Sequence, residues 1–215
     1  ERVAYRPLRE APRIIPLITA LGMSLFLENA VMVFKPWGAS FRVYPVTLGR
    51  AGFELFGVHI GYAHLAIFAM ALCLMVGLHF FVERSTLGKA MRAVAFDREA
   101  AQLMGINANR MISMGFFLGS IMAAAAGVMA GLYYGQINFL MGFLVGLKAF
   151  TASVLGGIGN LPGAMLGGML LGVLEVFGTS AVGGQWKDVF AFGALILLLV
   201  FKPTGLLGER TAGRM

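Results

Sequence analysis

Long, nearly uncharged apolar blocks constrain this chain more than any other feature of its sequence. Four of them contain about 20 residues each, enough for a helix to cross a hydrocarbon core of about 30 Å. They lie at residues 14–34, 60–82, 111–134 and 163–182. Of the 215 residues, 59% are hydrophobic and only 13% are charged, whereas soluble domains carry about 25% charged residues. We therefore predict an all-α integral membrane protein.

Two further segments are apolar but less regular. Residues 139–156 carry Lys148 at their centre, and residues 186–201 are short for a crossing unless flanking residues reach the interface. Together with the four blocks they predict a polytopic helical bundle of about five to six membrane segments, read as five crossings and one broken or re-entrant element. The thirty glycines suit helices that pack closely against each other in lipid.

The positions of the basic residues predict the orientation of the chain. Twelve of the seventeen lysines and arginines precede the first block, follow the last segment, or lie in a polar loop at residues 83–110. Alternating crossings place these three groups on one side, which the positive-inside rule identifies as cytoplasmic, provided that residues 139–156 also cross or pair with a neighbouring segment as a full return. This agreement favours a crossing at residues 139–156. The twelve basic residues are Arg2, Arg6, Arg9, Arg13, Arg84, Lys89, Arg92, Arg98, Arg110, Lys202, Arg210 and Arg214. A net charge of +7 arranged in this way indicates membrane topology and not a nucleic-acid-binding face.

The polar loop contains the residues of a short helix with its caps. Asp97 is a suitable N-cap, and Glu99 lies in the first turn, where the helix dipole favours an anion. Ala100 and Ala101 are strong helix formers, and Gly105 suits the left-handed position that follows a helix. We predict a compact helix on the cytoplasmic surface; an ordinary connecting loop with one helical turn is the alternative.

A dense run of glycine and proline lies just before the fourth block. Residues of these types at such density break a helix. In a membrane, irregular backbone persists only where it is buried in protein or lines a cavity, and transporters use such breaks to expose helix ends to substrates. A tight hairpin between two closely packed helices is the alternative. The residues are Gly156, Gly157, Gly159, Pro162 and Gly163.

Three charged residues lie within the apolar segments: Glu28, Lys148 and Glu175. A charge at the midplane costs at least about 2.5–3.5 kcal/mol on insertion scales, so each is expected to face the interior of the bundle. One interpretation is a translocation pathway lined by these groups. The other is an ion pair between Lys148 and a carboxylate that fixes helix packing. Lys148 is the stronger candidate, because Glu28 and Glu175 lie near enough to span ends to reach the interface.

The sequence predicts no catalytic site, metal site or cofactor. His59 and His64 are five residues apart, which fits one helical face poorly for a metal site. A catalytic histidine would need an acidic partner at helical spacing, and we expect none for His64 or His79. The nucleotide-binding pattern G-x-x-x-x-G-K-[ST] is absent from the sequence, so any ATP hydrolysis belongs to another subunit.

Several stretches resemble the permease family of branched-chain amino acid importers. Glu99, Ala100 and Ala101, followed by Gly105, are also similar to the loop that docks a coupling helix onto the ATPase in bacterial ATP-binding-cassette importers. In that loop the wider importer pattern continues to Ile-x-Leu-Pro, which this chain lacks. The longer stretches are GKAMRA at 88–93, LMGIN at 103–107, GLKAFTASVLGGIGN at 146–160, PGAMLGG at 162–168 and KPTGLLG at 202–208.

The resemblance is nearest to the H-type subunit of the leucine/isoleucine/valine system. Members of that family carry further membrane helices ahead of this starting point, so residues 1–215 are expected to be a fragment of one transmembrane permease domain. The resemblance implies a multi-pass protein of the bacterial inner membrane, with residues 83–110 as its cytoplasmic coupling loop. The implied partners are cytoplasmic ATPase subunits, a second permease subunit, a periplasmic substrate-binding protein and membrane lipid.

Other functions remain as alternatives at this point. Importers of urea and short amides share much of the same pattern. The assignment of leucine, isoleucine and valine as substrates therefore depends only on how closely the motifs resemble the leucine/isoleucine/valine system. A membrane-embedded enzyme acting on lipid would need a catalytic constellation at the membrane edge, and none is found. A passive channel is the third alternative. Co-purification of the chain with an ATPase would distinguish a permease from such a channel.

Overall fold

The computed structural model describes residues 1, 4–8, 12, 14–34, 40–44, 52–55, 58–157, 159–202 and 204–208. These residues fall into two compact units, 1–142 and 143–215, and each unit is treated by itself. Some residues used in the sequence interpretation lie outside the described part. They are Arg2, Arg9, Arg13, Arg210 and Arg214, together with Ile158 and Pro203 of the motifs.

The first unit contains a 3-10 turn (Arg6–Leu8) and five α-helices among its described residues. The α-helices are α1 (Ile14–Val33), α2 (Tyr62–Arg84), α3 (Thr86–Phe96), α4 (Arg98–Leu103) and α5 (Ala108–Tyr134). The blocks predicted at 60–82 and 111–134 correspond to α2 and α5. The start of α5 is set by Asn107, whose side chain accepts a hydrogen bond from the amide of Arg110 at 3.1 Å. This N-cap places the start three residues earlier than hydropathy predicts, because polar residues can occupy the first helical turn.

Four short strands accompany these helices, which the all-helical prediction did not include. They are β1 (Arg42–Val43), β2 (Gly52–Leu55), β3 (Val58–Gly61) and β4 (Gln136–Ile137). The strands pair antiparallel, β1 with β4 and β2 with β3. All four lie at the ends of α2 and α5 away from α3, in stretches too short for hydropathy to distinguish from loops.

The second unit contains α7 (Leu161–Val182), α8 (Lys187–Phe201) and all but the first two residues of α6 (Met141–Gly156). A 3-10 turn at Gly184–Trp186 joins α7 to α8. With 16 residues, α6 is about 24 Å long, which is shorter than the hydrocarbon core of about 30 Å. This short helix corresponds to the segment predicted as less regular.

Four described stretches are long and apolar enough to cross a membrane, and α1 and α6 contribute shorter apolar helices. The protein is therefore a polytopic α-helical membrane protein, as predicted. The four stretches are Tyr62–Arg84, Ala108–Tyr134, Leu161–Val182 and Gly184–Phe201.

The glycine-rich run ends α6 and starts α7. Gly157 and Gly159 have φ angles of 110° and 94°, which a residue with a side chain rarely adopts, so the helix cannot continue through them. Asn160 then caps α7 by accepting a hydrogen bond from the amide of Gly163 at 3.0 Å. Pro162 lies in the first turn of α7, where its missing N–H is tolerated.

The end of α6 is closed by the segment at residues 204–208. The amides of Leu206 and Leu207 donate to the carbonyls of Leu155 and Gly156 at 2.9 and 3.0 Å. The side-chain amide of Asn160 donates in turn to the carbonyl of Leu207 at 3.0 Å. These bonds satisfy carbonyl groups that a helix end leaves without partners.

Two neighbouring glycines of α7 give a matched test of this close packing. A Cβ at Gly167 would overlap the carbonyl oxygen of Ala152 and lie 2.7 Å from the amide nitrogen of Gly156, whereas one at Gly168 would lie 3.8 Å from the Ala152 side chain. We expect Gly167→Ala to lower the free energy of unfolding by about 1–3 kcal/mol, because both backbones must move apart. Gly168→Ala should leave it nearly unchanged. Thermal unfolding of the purified chain in detergent measures both, and equal effects would contradict the packing described here.

Candidate functional site

The loop predicted between two spans contains two helices, and the sequence interpretation missed the first. The Ser85 hydroxyl accepts a hydrogen bond from the amide of Gly88 at 2.9 Å and so caps α3. Gly88 and Val94 are buried on α3, and Ala90 and Met91 pack beside them. A serine N-cap followed by apolar residues on one helical face was the available signal, but the helix lies in a stretch read as polar.

The second helix has the caps that were predicted. The carboxylate of Asp97 accepts hydrogen bonds from the amides of Glu99 and Ala100, each at 3.0 Å. Gly105 has a φ angle of 81°, and the amide of Ile106 donates to the carbonyl of Ala101 at 3.0 Å. This left-handed exit redirects the chain from α4 into α5.

A small apolar core holds the two helices against the start of α5. Its buried members are Val94, Ala101, Ala108 and Met111, and Ala101 is only 4% exposed. Of the predicted coupling residues, Ala101 therefore faces the protein, while Glu99, Ala100 and Gly105 are exposed. The two helices of the loop are thus packed against the start of α5.

Three apolar side chains project from this loop and were not singled out from the sequence. Phe96, Leu103 and Met104 are 87%, 89% and 81% exposed. We call them the apolar tip. A six-residue helix is too short for periodicity to show which residues point outward, so the sequence offered no clear signal.

The expectation that His79 has no acidic partner at helical spacing was wrong. Its Nε2 lies 3.6 Å from a carboxylate oxygen of Glu83, one turn later on α2. The carbonyl of Glu83 also accepts a hydrogen bond from Arg92 of α3 at 3.2 Å. The bond from Arg92 joins the end of α2 to α3, whereas the His79–Glu83 contact lies within α2. Within the described residues, no group of three or more His, Cys, Asp or Glu residues is arranged to hold a metal ion.

In the second unit, Lys148 lies between two carboxylates. Its Nζ is 2.8 Å from Oε1 of Glu175 on α7 and 2.8 Å from Oδ1 of Asp188 on α8. The other oxygen of Glu175, Oε2, lies 3.3 Å from Nζ of Lys187. The four residues form an ionic chain with no net charge, in the order Asp188, Lys148, Glu175, Lys187.

The members of the ionic chain differ in their exposure. The side chains of Glu175 and Lys148 are 10% and 22% exposed, whereas those of Lys187 and Asp188 are 42% and 54% exposed. Oε1 of Glu175 is fully buried, and the Lys148 ammonium is the group that compensates its charge. Removing one partner of a buried pair leaves an uncompensated charge, which is more costly than removing both.

One interpretation of the sequence anticipated an ion pair between Lys148 and a carboxylate, and the carboxylates that Lys148 contacts are those of Glu175 and Asp188. Lys187 and Asp188 were missed as members of this group, because they lie at the polar start of residues 186–201, which the sequence interpretation assigned to the membrane surface. Glu28 is not part of this group. It lies on α1 in the first unit, where it is half-buried and makes no ion pair within the described residues.

Comparison with known proteins identifies similar sequences over nearly the whole chain. The profile of the family described as branched-chain amino acid transport system / permease component matches residues 8–199. The chain is 52% identical over 213 residues to the high-affinity branched-chain amino acid transport system permease protein BraD of Pseudomonas aeruginosa, which covers 97% of this chain and 69% of the relative.

Two further relatives are similar to most of this chain. The corresponding permease protein LivH of Escherichia coli is 44% identical over 215 residues, covering 97% of this chain and 68% of the relative. The fructose import permease protein FrcC of Rhizobium meliloti is 27% identical over 198 residues, covering 86% of this chain and 54% of the relative. No solved structure gave a significant match.

The ionic chain gives a prediction for the stability of the second unit. We expect Lys148→Met to lower the free energy of unfolding by up to about 3–5 kcal/mol, because it leaves the Glu175 carboxylate buried with a single partner. The double variant Lys148→Met/Glu175→Gln should recover much of this loss, since it removes both buried charges. Membrane insertion should be normal in both. Unfolding in detergent measures the effect, and a double variant less stable than Lys148→Met would contradict the pairing.

Proposed function

Because this chain belongs to the branched-chain amino acid transport permease family, we propose that it forms part of the membrane pathway of an ATP-driven importer for leucine, isoleucine and valine. The resemblance read from its motifs is confirmed by the relatives BraD and LivH. FrcC, whose name gives fructose as its substrate, is a more distant relative, so membership of the wider group does not fix the substrate. The higher identity to BraD and LivH favours branched-chain amino acids over urea or short amides.

We further propose that the chain functions in the bacterial inner membrane with partner subunits. ATP hydrolysis is assigned to cytoplasmic ATPase subunits, and the pathway to this chain together with a second permease subunit. A periplasmic binding protein delivers the substrate. The support for a separate ATPase is the absence of the nucleotide-binding pattern from this sequence and the presence of a rigid loop suited to a docking role.

The observation that carries the coupling proposal is the apolar tip. Phe96, Leu103 and Met104 are each more than four-fifths exposed although they lie in a polar loop beside charged residues. Exposed apolar groups that project from a packed element mark contact surfaces, because a partner that covers them removes apolar area from water. We propose that the tip enters a cleft of the ATPase, and that Asp97, Glu99, Ala100, Ala101 and Gly105 keep α4 in the orientation this contact needs.

For the second unit, we propose structural roles for the helix break and for the buried part of the ionic chain. The run from Gly156 to Gly163 brings two helix backbones into contact, and its helix end is closed by residues 204–208. These contacts favour a packing hairpin over an open helix end that binds substrate. Lys148 and Glu175 fix α6 against α7 beside the pathway.

The exit from α4 gives the first prediction for coupling. Gly105→Val should misdirect the chain that enters α5, because a left-handed conformation costs a β-branched residue about 1–2 kcal/mol or more. Gly105→Asn is the matched control, since asparagine tolerates this conformation. In membranes of equal permease abundance, Gly105→Val should lose substrate-stimulated ATPase activity and leucine uptake, while Gly105→Asn retains most of both. Equal behaviour of the two variants would exclude a role for the helix exit.

The apolar tip gives a second prediction for coupling. Leu103→Asp should abolish substrate-stimulated ATPase activity and reduce ATPase co-purification about tenfold or more, because a buried contact residue contributes roughly 2 kcal/mol or more. Leu103→Met keeps the apolar contact and should behave like the unaltered chain. The chain itself should remain folded, since Leu103 is 89% exposed. Normal coupling in Leu103→Asp would show that the ATPase binds elsewhere.

A further inference from the structure

The two ends of the ionic chain have fewer partners than its middle. Lys148 and Glu175 each contact two oppositely charged groups. Among the described residues, Asp188 has one cationic partner, Lys148, and Lys187 has one anionic partner, Glu175. A lysine ammonium has three donors and a carboxylate about four acceptor sites, so both ends retain capacity for a further ligand.

The inner pair also keeps the two end groups apart. Lys187 and Asp188 are neighbours in the sequence, and side chains of opposite charge so placed could neutralise each other. Instead, Glu175 holds the ammonium of Lys187 at 3.3 Å and Lys148 holds the carboxylate of Asp188 at 2.8 Å. The unit therefore presents one cation and one anion, 42% and 54% exposed, side by side.

These end groups lie at the first turn of α8, a helix of 15 residues. From the basic residues we predict that this turn lies at the non-cytoplasmic side of the membrane, where an imported substrate arrives. We therefore expect both end groups, which are 42% and 54% exposed, to be accessible from that side.

A free amino acid matches this pair in chemistry. At neutral pH it carries an ammonium and a carboxylate on one carbon atom and has no net charge. We infer that the exposed ends of the ionic chain bind the zwitterionic head of the amino acid, with the carboxylate at Lys187 and the ammonium at Asp188. This inference rests on the proposed function and adds a binding site to it.

A ligand with only one of the two charges would engage only one of the two end groups. It would also add a net charge next to the buried Lys148 and Glu175, where charge is poorly solvated. The site should therefore discriminate by headgroup and not by side chain. Amino acids whose side chain carries a charge are disfavoured for the same reason.

The test uses the complete permease–ATPase complex in lipid nanodiscs without the binding protein, and labelled leucine as the probe. Two analogues of leucine keep the apolar part and one charge each: 3-methylbutylamine has the ammonium, and 4-methylpentanoate has the carboxylate. For the unaltered complex, we expect each analogue to compete at least about tenfold more weakly than leucine, since a charged hydrogen bond is lost. This measurement needs no variant.

Two variants should each weaken the binding of one charged group of leucine and leave the binding of the other unaffected. In Lys187→Gln, leucine should bind about tenfold more weakly while the amine is unaffected; in Asp188→Asn, leucine should again weaken while the carboxylate analogue is unaffected. Val189→Ala, the next residue on α8 and 56% exposed, is the matched control and should change nothing. Complex yield and basal ATPase activity check folding.

The outcomes separate this inference from the proposed function. Absence of saturable leucine binding, competition by either analogue as strong as that by leucine, or variants that do not differ between the analogues would overturn the inference. If a variant yields no complex, the competition measured on the unaltered complex decides. The proposed function fails instead if the unaltered complex, supplied with its binding protein and ATP, imports no leucine. Import of leucine without headgroup discrimination would leave the function standing and remove the site.

Discussion

Lys148 is a cation within an apolar helix, and the arrangement of the second unit follows from the need to compensate it. The ammonium lies 2.8 Å from one carboxylate on α7 and 2.8 Å from another on α8. A pair would neutralise the charge, but two carboxylates require a further cation, which Lys187 provides by contacting Glu175. In a membrane, where water does not solvate unpaired charges, this closed balance sets which faces of the three helices meet.

The same requirement applies to the backbone where helices end. The glycine-rich run stops α6 inside a closely packed unit, so its last carbonyls have no solvent to bind. Amides at Leu206 and Leu207 supply the partners, and this is possible only because Gly157 lets the returning chain pass against its backbone. Glycine is needed at Gly156, Gly163 and Gly167 for a related reason, since a Cβ at each would overlap backbone atoms of the facing helix. A helix end and its packing face are therefore specified together.

The parts of this protein that the sequence predicted are those determined by local pattern. Span positions follow from about 20 consecutive apolar residues, and the caps at Asp97 and Gly105 from residue types within one helical turn. An isolated lysine in an apolar segment implied a buried partner, and Glu175 fitted the requirement. Asp188 could not be assigned in the same way, because its role depends on how α8 turns back beside α6. The exposure of Leu103 likewise depends on tertiary packing, which decides which side of a short helix is covered.

The two proposed binding regions differ in how their side chains are held, and the difference suits their tasks. The orientation of the apolar tip matters more than the chemical identity of its side chains, because its partner is a large protein surface and apolar contacts have little directionality. A capped helix on a small core supplies that orientation. A zwitterionic headgroup has only two charges, and recognition requires them to be met at a fixed separation. The ionic chain restrains both end groups, since Lys187 contacts Glu175 and Asp188 contacts Lys148, which are the less exposed members. Flexibility at either place would weaken function without changing the residues that make contact.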